Sequence, residues 1–196
     1  IFTWKAPFKK KPELFAKIER RYAGIEWAND DVALIADWRF SDRMLRSFII
    51  DPSNADKSRK LFNERSYNDA YKDPGNFVYA QTKFGNYTVK VNSNHEMMLT
   101  GTGASAKGNI PFLDKYNYKS GEKTRLWESE APYYERVREV LNDEGTKLIT
   151  LRESKKDQPN FFIRDLNKKT TQQFTQFPHP YPEFKSITKE PDKKSS

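Results

Sequence analysis

The sequence predicts an all-β chain, a partial β-propeller of about three to four blades with four antiparallel strands each, part of a larger ring. Three observations carry that expectation. Short runs rich in aromatic and β-branched residues are punctuated by clusters of Pro, Gly, Asn and Asp. Sustained helical periodicity is scarce. The groups of runs also resemble one another at spacings of about 45 to 65 residues, a blade-like period. Composition agrees: only 36% of residues are hydrophobic and 32% are charged, yet 14% are aromatic. Disordered chains are poor in aromatics, whereas large flat side chains suit the half-buried surface of a pleated sheet.

Taken in order, the chain first offers a short amphipathic stretch. From Pro12 to Arg20, the residues Leu14, Phe15 and Ile18 fall on one face of a helix, without a clear stop signal. A blade-like unit follows over residues 20–66, with runs Tyr22–Trp27, Val32–Phe40, Met44–Asp51 and Arg59–Glu64. Asn29-Asp30-Asp31, Ser41-Asp42 and Asp51-Pro52-Ser53-Asn54 are its turns, since Asn, Asp and Ser side chains bond nearby backbone amides. The second unit, 75–129, holds Phe77–Thr82, Tyr87–Val91, Met97–Gly101, Phe112–Tyr118 and Thr124–Trp127. The third, 133–177, holds Arg136–Leu141, Lys147–Glu153, Asn160–Asp165 and Gln172–Thr175. Its opening, Pro132 to Leu141, also fits helical spacing through Tyr133, Val137, Val140 and Leu141; context favours a strand for its second half. One more short run, Phe184–Ile187, is expected to start a further unit over 182–189, and 191–196 reads as a polar tail.

The repetition is visible residue by residue. Val32-Ala33-Leu34-Ile35 corresponds to Lys147-Leu148-Ile149-Thr150, and Phe48-Ile49-Ile50-Asp51 to Phe162-Ile163-Arg164-Asp165, roughly 114 positions apart. Tyr116-Asn117-Tyr118 lines up with Ile163-Arg164-Asp165 about 48 positions on. A single four-stranded blade cannot cover both of its faces, so blades stack. An arc of three to four is expected to leave two blade faces uncovered and open to self-association.

Charge and residue usage narrow the function classes. The net charge is +8, but 27 acidic residues are interleaved with 35 basic ones and no basic stripe forms, which argues against nucleic acid as a partner. The absence of cysteine removes disulfides, zinc ribbons and thiol nucleophiles. No apolar run has membrane-span length, so no membrane partner is expected. With two separated histidines and no cysteine, no metal site and no cofactor is expected. The chain opens Ile1-Phe2-Thr3-Trp4 without an initiator Met and is expected to be a piece of a longer protein.

The motifs that superficially carry chemistry have plainer readings. Gly101-Thr102-Gly103-Ala104-Ser105 with Gly108 resembles a phosphate loop, but Pro111 follows without a helical pattern, so a loop between strands is expected. His95 and His179 read as turn residues, the latter between Pro178 and Pro180. Glu128 with Glu130, or Glu135 with Glu139, has the spacing of a carboxylate pair, yet spacing alone does not make a cleft. Asn86-Tyr87-Thr88 fits a glycosylation sequon. Trp27, Trp38, Trp127, Phe161 and Phe162 read as packing residues.

Several motifs resemble the propeller region of serine peptidases of the prolyl oligopeptidase family, in particular its glutamyl endopeptidase-like and dipeptidyl aminopeptidase-like members. They are Pro111-Phe112-Leu113-Asp114, Arg125-Leu126-Trp127-Glu128-Ser129, Pro132-Tyr133-Tyr134-Glu135 and, most specific, Arg152-Glu153-Ser154 with Pro159-Asn160-Phe161-Phe162-Ile163-Arg164-Asp165-Leu166 and Phe177-Pro178-His179-Pro180-Tyr181-Pro182. Upstream, Gly24-Ile25-Glu26-Trp27, Asp73-Pro74-Gly75 and Leu99-Thr100-Gly101-Thr102-Gly103 extend the likeness. The resemblance implies a parent in which a propeller precedes a C-terminal α/β-hydrolase domain that holds the catalytic Ser, Asp and His. It also implies peptide substrates and a periplasmic or exported location for bacterial members. No Gly-x-Ser-x-Gly elbow occurs in this chain, so no catalytic residue is assigned to it. The expected role is gating substrate access to, and docking on, the hydrolase domain. Arg152, Glu153 and Asn160 are the candidate substrate-binding residues; the alternative is that they make hydrogen bonds and ion pairs within the blade. A stand-alone propeller-like module that binds protein or peptide is the second reading.

Overall fold

The computed structural model describes residues 1–181 and Glu183. The tail 191–196 and, Glu183 apart, the expected start of a further unit over 182–189 lie outside the described residues. Among the described residues the chain is all-β, with no α-helix and a 3-10 turn at Pro52–Asn54.

The strands are β1 (Phe2–Thr3), β2 (Glu13–Leu14), β3 (Arg21–Trp27), β4 (Ala33–Arg39), β5 (Met44–Ile50), β6 (Lys60–Ser66), β7 (Asn76–Phe77), β8 (Tyr79–Gln81) and β9 (Tyr87–Val89). There follow β10 (Glu96–Gly101), β11 (Ala104–Ser105), β12 (Gly108–Asn109), β13 (Phe112–Asn117), β14 (Lys123–Glu128), β15 (Tyr134–Val140), β16 (Lys147–Glu153), β17 (Asn160–Asp165) and β18 (Thr170–Gln173). Three four-stranded antiparallel sheets form, in the orders β3-β4-β5-β6, β7-β10-β13-β14 and β15-β16-β17-β18. Three two-stranded ribbons, β1-β2, β8-β9 and β11-β12, accompany them. This is a partial β-propeller.

Asparagines set the hairpin turns. Asn29 Oδ1 accepts from the amides of Asp31 and Val32, Asn117 Oδ1 from Lys119 and Ser120, and Asn142 Oδ1 from Thr146 and Lys147. Each side chain thereby replaces a backbone partner at the bend.

Stacking follows from the two-residue period of a strand. On β4, Leu34 joins Ile49, Met97, Leu99 and Tyr116 in the core between the first and second sheets. Its neighbours Ala33 and Ile35 join Ala16, Ile50 and Ala55 on the other face. On β10, Met97 and Leu99 face the first sheet while Met98 meets Leu113, Val140 and Leu148, between the second and third. A strand covered on both faces reads as an unbroken apolar run, which is why Val32 to Ile35 and Met97 to Leu99 lack polar alternation. The second and third sheets approach closely at Gly145 (φ +72°): a Cβ there would stand 2.8 Å from Leu126 Cδ1 and 2.9 Å from Met98 Cε.

Four expectations are corrected. Pro12 to Arg20 is not helical. Phe15 and Ala16 both donate their amides to the Ile1 carbonyl, and Ile1, Phe15, Ala16 and Ile18 pack on the first sheet in extended form. That packing covers a face expected to be open, so the first sheet is not bare on its outer side. Phe77–Thr82 is not one strand. It breaks at Val78, with Phe77 paired to Leu99 of β10 and Tyr79 to Val89 of β9. The segment from Tyr134 to Val140 is strand throughout, since its pairing with β16 uses its whole length.

Candidate functional site

The site is built at one end of the third sheet, where β15 and β17 begin and β16 ends. Register places Glu135 opposite Arg152 and Arg152 opposite Asn160, so the three side chains share the face turned toward the second sheet. Glu153 lies one residue on, opposite Tyr134, and takes the other face. The structure thus brings together two of the three sequence-expected residues, Arg152 and Asn160, and separates Glu153 from them.

Asn160 is buried, and its amide is occupied locally. The Oδ1 accepts from Thr175 Oγ1 at 2.9 Å and from the Phe177 amide at 2.7 Å, while Nδ2 donates to the Gln158 carbonyl at 3.3 Å. These bonds strap the segment after β18 across the mouth of the sheet. Phe161 adds an edge contact to Phe177, centroids 6.4 Å apart.

Arg152 behaves differently. Its guanidinium carbon lies 3.7 Å from the Phe162 ring centroid and 4.3 Å from that of Tyr133. Contacts of this kind attract the cation to the ring face. Arg152 lines two adjoining clefts. The first, about 360 Å³, runs between β14 and the third sheet and includes Trp127, Glu128, Glu130 and Lys169. The second, about 490 Å³, opens toward the strap and includes Lys156, Asp157, Gln173 and His179.

The first cleft rests on a buried ion pair that sequence reasoning missed. Arg164 donates through Nε to Glu135 Oε1 at 2.6 Å and through its other arm to Oε2, and Thr150 Oγ1 also donates to Oε1. The Glu135 side chain is 2% exposed and that of Arg164 21%. Arg164 also lies 5.5 Å from the Trp127 ring centroid. The only signal was Thr150, a lone hydroxyl at a core position of an apolar run. The Glu135 and Glu139 spacing considered as a carboxylate pair is not one: Glu135 is consumed by Arg164, and the β15 bulge between Val137 and Glu139 breaks the register. Glu128 likewise holds Arg125 at 2.5 Å.

The other sequence motifs resolve into structure. Gly101 ends β10, and Ala104–Ser105 pairs with Gly108–Asn109 as a hairpin without a helix to face a phosphate. His95 has φ +63° and its Nδ1 lies 3.1 Å from Tyr118 Oη. His179 Nδ1 accepts from the Tyr181 amide at 3.0 Å. Both sit in turns, and neither meets a serine among the described residues. No cluster of three or more His, Asp or Glu side chains with metal-holding geometry occurs among the described residues.

Comparison with known proteins gives two kinds of relative. The chain is 34% identical over 194 residues to a protein named probable glutamyl endopeptidase, chloroplastic, of Oryza sativa subsp. japonica, and 34% identical over 195 residues to its namesake in Arabidopsis thaliana. Each match takes in 92% of this chain, but 21% and 20% of the respective relative. No family model matches. Among solved structures, an oligogalacturonate lyase in complex with manganese aligns with a TM-score of 0.50 at 10% identity, over 86% of this chain and 46% of that one. TolB of Acinetobacter baumannii aligns at 0.41 and 14% identity, over 86% and 36%. The chain is therefore homologous to about a fifth of the length of plant proteins named glutamyl endopeptidase, in a propeller fold.

Proposed function

We propose that this chain is the non-catalytic propeller segment of a larger serine peptidase, gating peptide access to an α/β-hydrolase domain of the same parent and docking on it. The carrying observation is the 34% identity across 92% of the chain to proteins named glutamyl endopeptidase, of which it spans about a fifth. The sequence supports the division of labour, since no Gly-x-Ser-x-Gly elbow is present. In this reading Arg152 faces the peptide path from the wall between the two clefts, Asn160 positions the strap that borders it, and Glu153 lies on the opposite face of the blade.

The test has two parts. Incubated with peptides, the 196-residue chain cleaves none. In the parent, removing this segment leaves short-peptide hydrolysis in place and admits larger substrates that the intact protein excludes. Cleavage by the isolated chain that a serine-directed inhibitor blocks would overturn the proposal. So would a parent without a nucleophile elbow, which would favour a stand-alone interaction module.

A further inference from the structure

The second cleft combines a cation that has no hydrogen bond or ion pair among the described residues, the rings of Tyr133, Phe162 and Phe177, and a net positive lining. Arg46, Arg125 and Arg164 also lie against rings, those of Phe48, Phe112 and Trp127, and each holds a buried carboxylate: Asp37, Asp114 and Glu135. Arg152 lies closest of all to its ring, yet no hydrogen bond or ion pair reaches its guanidinium among the described residues.

The repeat makes the omission specific. In the first sheet Asp37 of β4 stands opposite Arg46 of β5, two residues beyond the Ile35–Phe48 pair. In the third sheet Arg152 of β16 stands opposite Asn160 of β17, two residues beyond the Thr150–Phe162 pair. The same register position thus carries a closed carboxylate–arginine pair in one blade. In the other it carries an arginine beside an amide already committed to Thr175 and Phe177. The adjacent carboxylate, Glu135, is spent on Arg164 and Thr150.

A guanidinium stacked on a ring keeps its N–H donors in plane and pointing away, in the fork that matches a carboxylate. Ring contact also strips water from its faces, which strengthens an in-plane ion pair. Lys156 and His179 stand on the same cleft, with Asp157 as the opposing charge. Asp157 accepts from Ser154 Oγ at 2.6 Å.

We propose that the cleft between Arg152, Lys156 and His179 is a recognition site for a peptide carboxylate, with Arg152 as its anchor. The ligand is either an acidic side chain or a free C-terminus, which share that chemistry. The inference deepens the peptidase reading, in that a peptide is the ligand, but binding to the chain is independent of turnover.

The test titrates the 196-residue chain with three peptides: acetyl-Ala-Ala-Glu-amide, acetyl-Ala-Ala-Ala with a free C-terminus, and acetyl-Ala-Ala-Gln-amide. Shifts of the Arg152 side-chain Nε–H resonance and calorimetry are the readouts. At least one carboxylate peptide binds, at least roughly tenfold more tightly than the Gln amide, because hydrogen bonds to charged groups are the strong ones. The better of the two identifies the source. Binding weakens with added salt and as the peptide carboxyl protonates. Arg152→Met, which keeps the stacking stem, abolishes the preference; Arg152→Lys retains part of it; Lys156→Gln weakens it. Melting temperatures certify the fold of each variant. Should R152M fail to fold, R152K and K156Q decide. Equal binding of the Gln amide, no binding of any of the three, or an unchanged preference in the folded Arg152 variants overturns the assignment. A gating defect in the parent without carboxylate preference here leaves the peptidase reading standing and removes this one.

Discussion

The Glu135–Arg164 pair allows a sharp prediction because its two charges are unequally hidden. The carboxylate is 2% exposed and the guanidinium 21%. Replacing Arg164 with Met keeps the aliphatic stem beside Trp127 but leaves a buried charge with Thr150 as its remaining side-chain partner among the described residues. Breaking a buried pair in this way costs about 3–5 kcal/mol. Glu135→Gln removes the charge from the hidden side and leaves a cation that reaches water, so about 2 kcal/mol is expected. The double variant, with neither charge, lies within about 1 kcal/mol of the parent sequence, giving a coupling of at least ~2 kcal/mol. Urea unfolding followed by circular dichroism measures all four chains. For a domain of this size R164M lowers the melting temperature by roughly 6–20 °C. If R164M and E135Q each cost less than about 0.5 kcal/mol, or if their costs simply add, the pair does not organise the third sheet and the reasoning fails.

Three further outcomes are expected. Asn160→Ala costs about 1–3 kcal/mol through its lost partners, and hydrogen exchange at the Phe177 amide, which now bonds Oδ1, accelerates. Unchanged exchange there would mean that Asn160 does not hold the strap. Gly103→Ala destabilises by more than about 2 kcal/mol, because at φ +60° its Cβ would stand 1.9 Å from the Ile110 carbonyl oxygen; Gly85→Ala, with no atom within 4 Å at φ +85°, pays only for its backbone. Equal melting temperatures for the two would contradict the geometry. Asp42 is held down to about 2, first by the Arg39 side-chain hydrogen bond. A depressed folded value adds stability above the ordinary carboxylate range, lost as pH falls from about 4 through about 2. Carboxyl NMR shows that titration directly, and Arg39→Gln returns it toward 3.8. An unmoved midpoint in R39Q refutes the attribution.

Much of the fold is legible in the sequence. The period-two alternation on one-sided strands, the unbroken runs Val32–Ile35 and Met97–Leu99, and the Asn and Asp turns each follow from local chemistry, because strand geometry and turn bonds depend on neighbours in the chain. The correspondence of Phe48 with Phe162 even locates equivalent strands, β5 and β17. Local pattern failed where distant packing overrode it. Phe15 and Ile18 fit a helical face, yet the first sheet takes them in extended form. Val78 is broken from its run because β7 and β8 pair with different partners.

The site shows the same division more strongly. That Arg152 and Asn160 share a face while Glu153 does not follows from strand period once β16 and β17 are in register. Which charges are satisfied does not follow. Asp37, Asp114, Glu135 and Arg152 are all charged residues on strands, and nothing in their local sequence separates the three that form ion pairs from the one that forms none among the described residues. Pairing depends on which strand lies across the sheet and which ring lies beneath, distances set by contacts far along the chain. The order of residues determined the strands, their turns and their stacking; only the tertiary structure decided that Arg152 would lie on its ring with its donors unclaimed among the described residues.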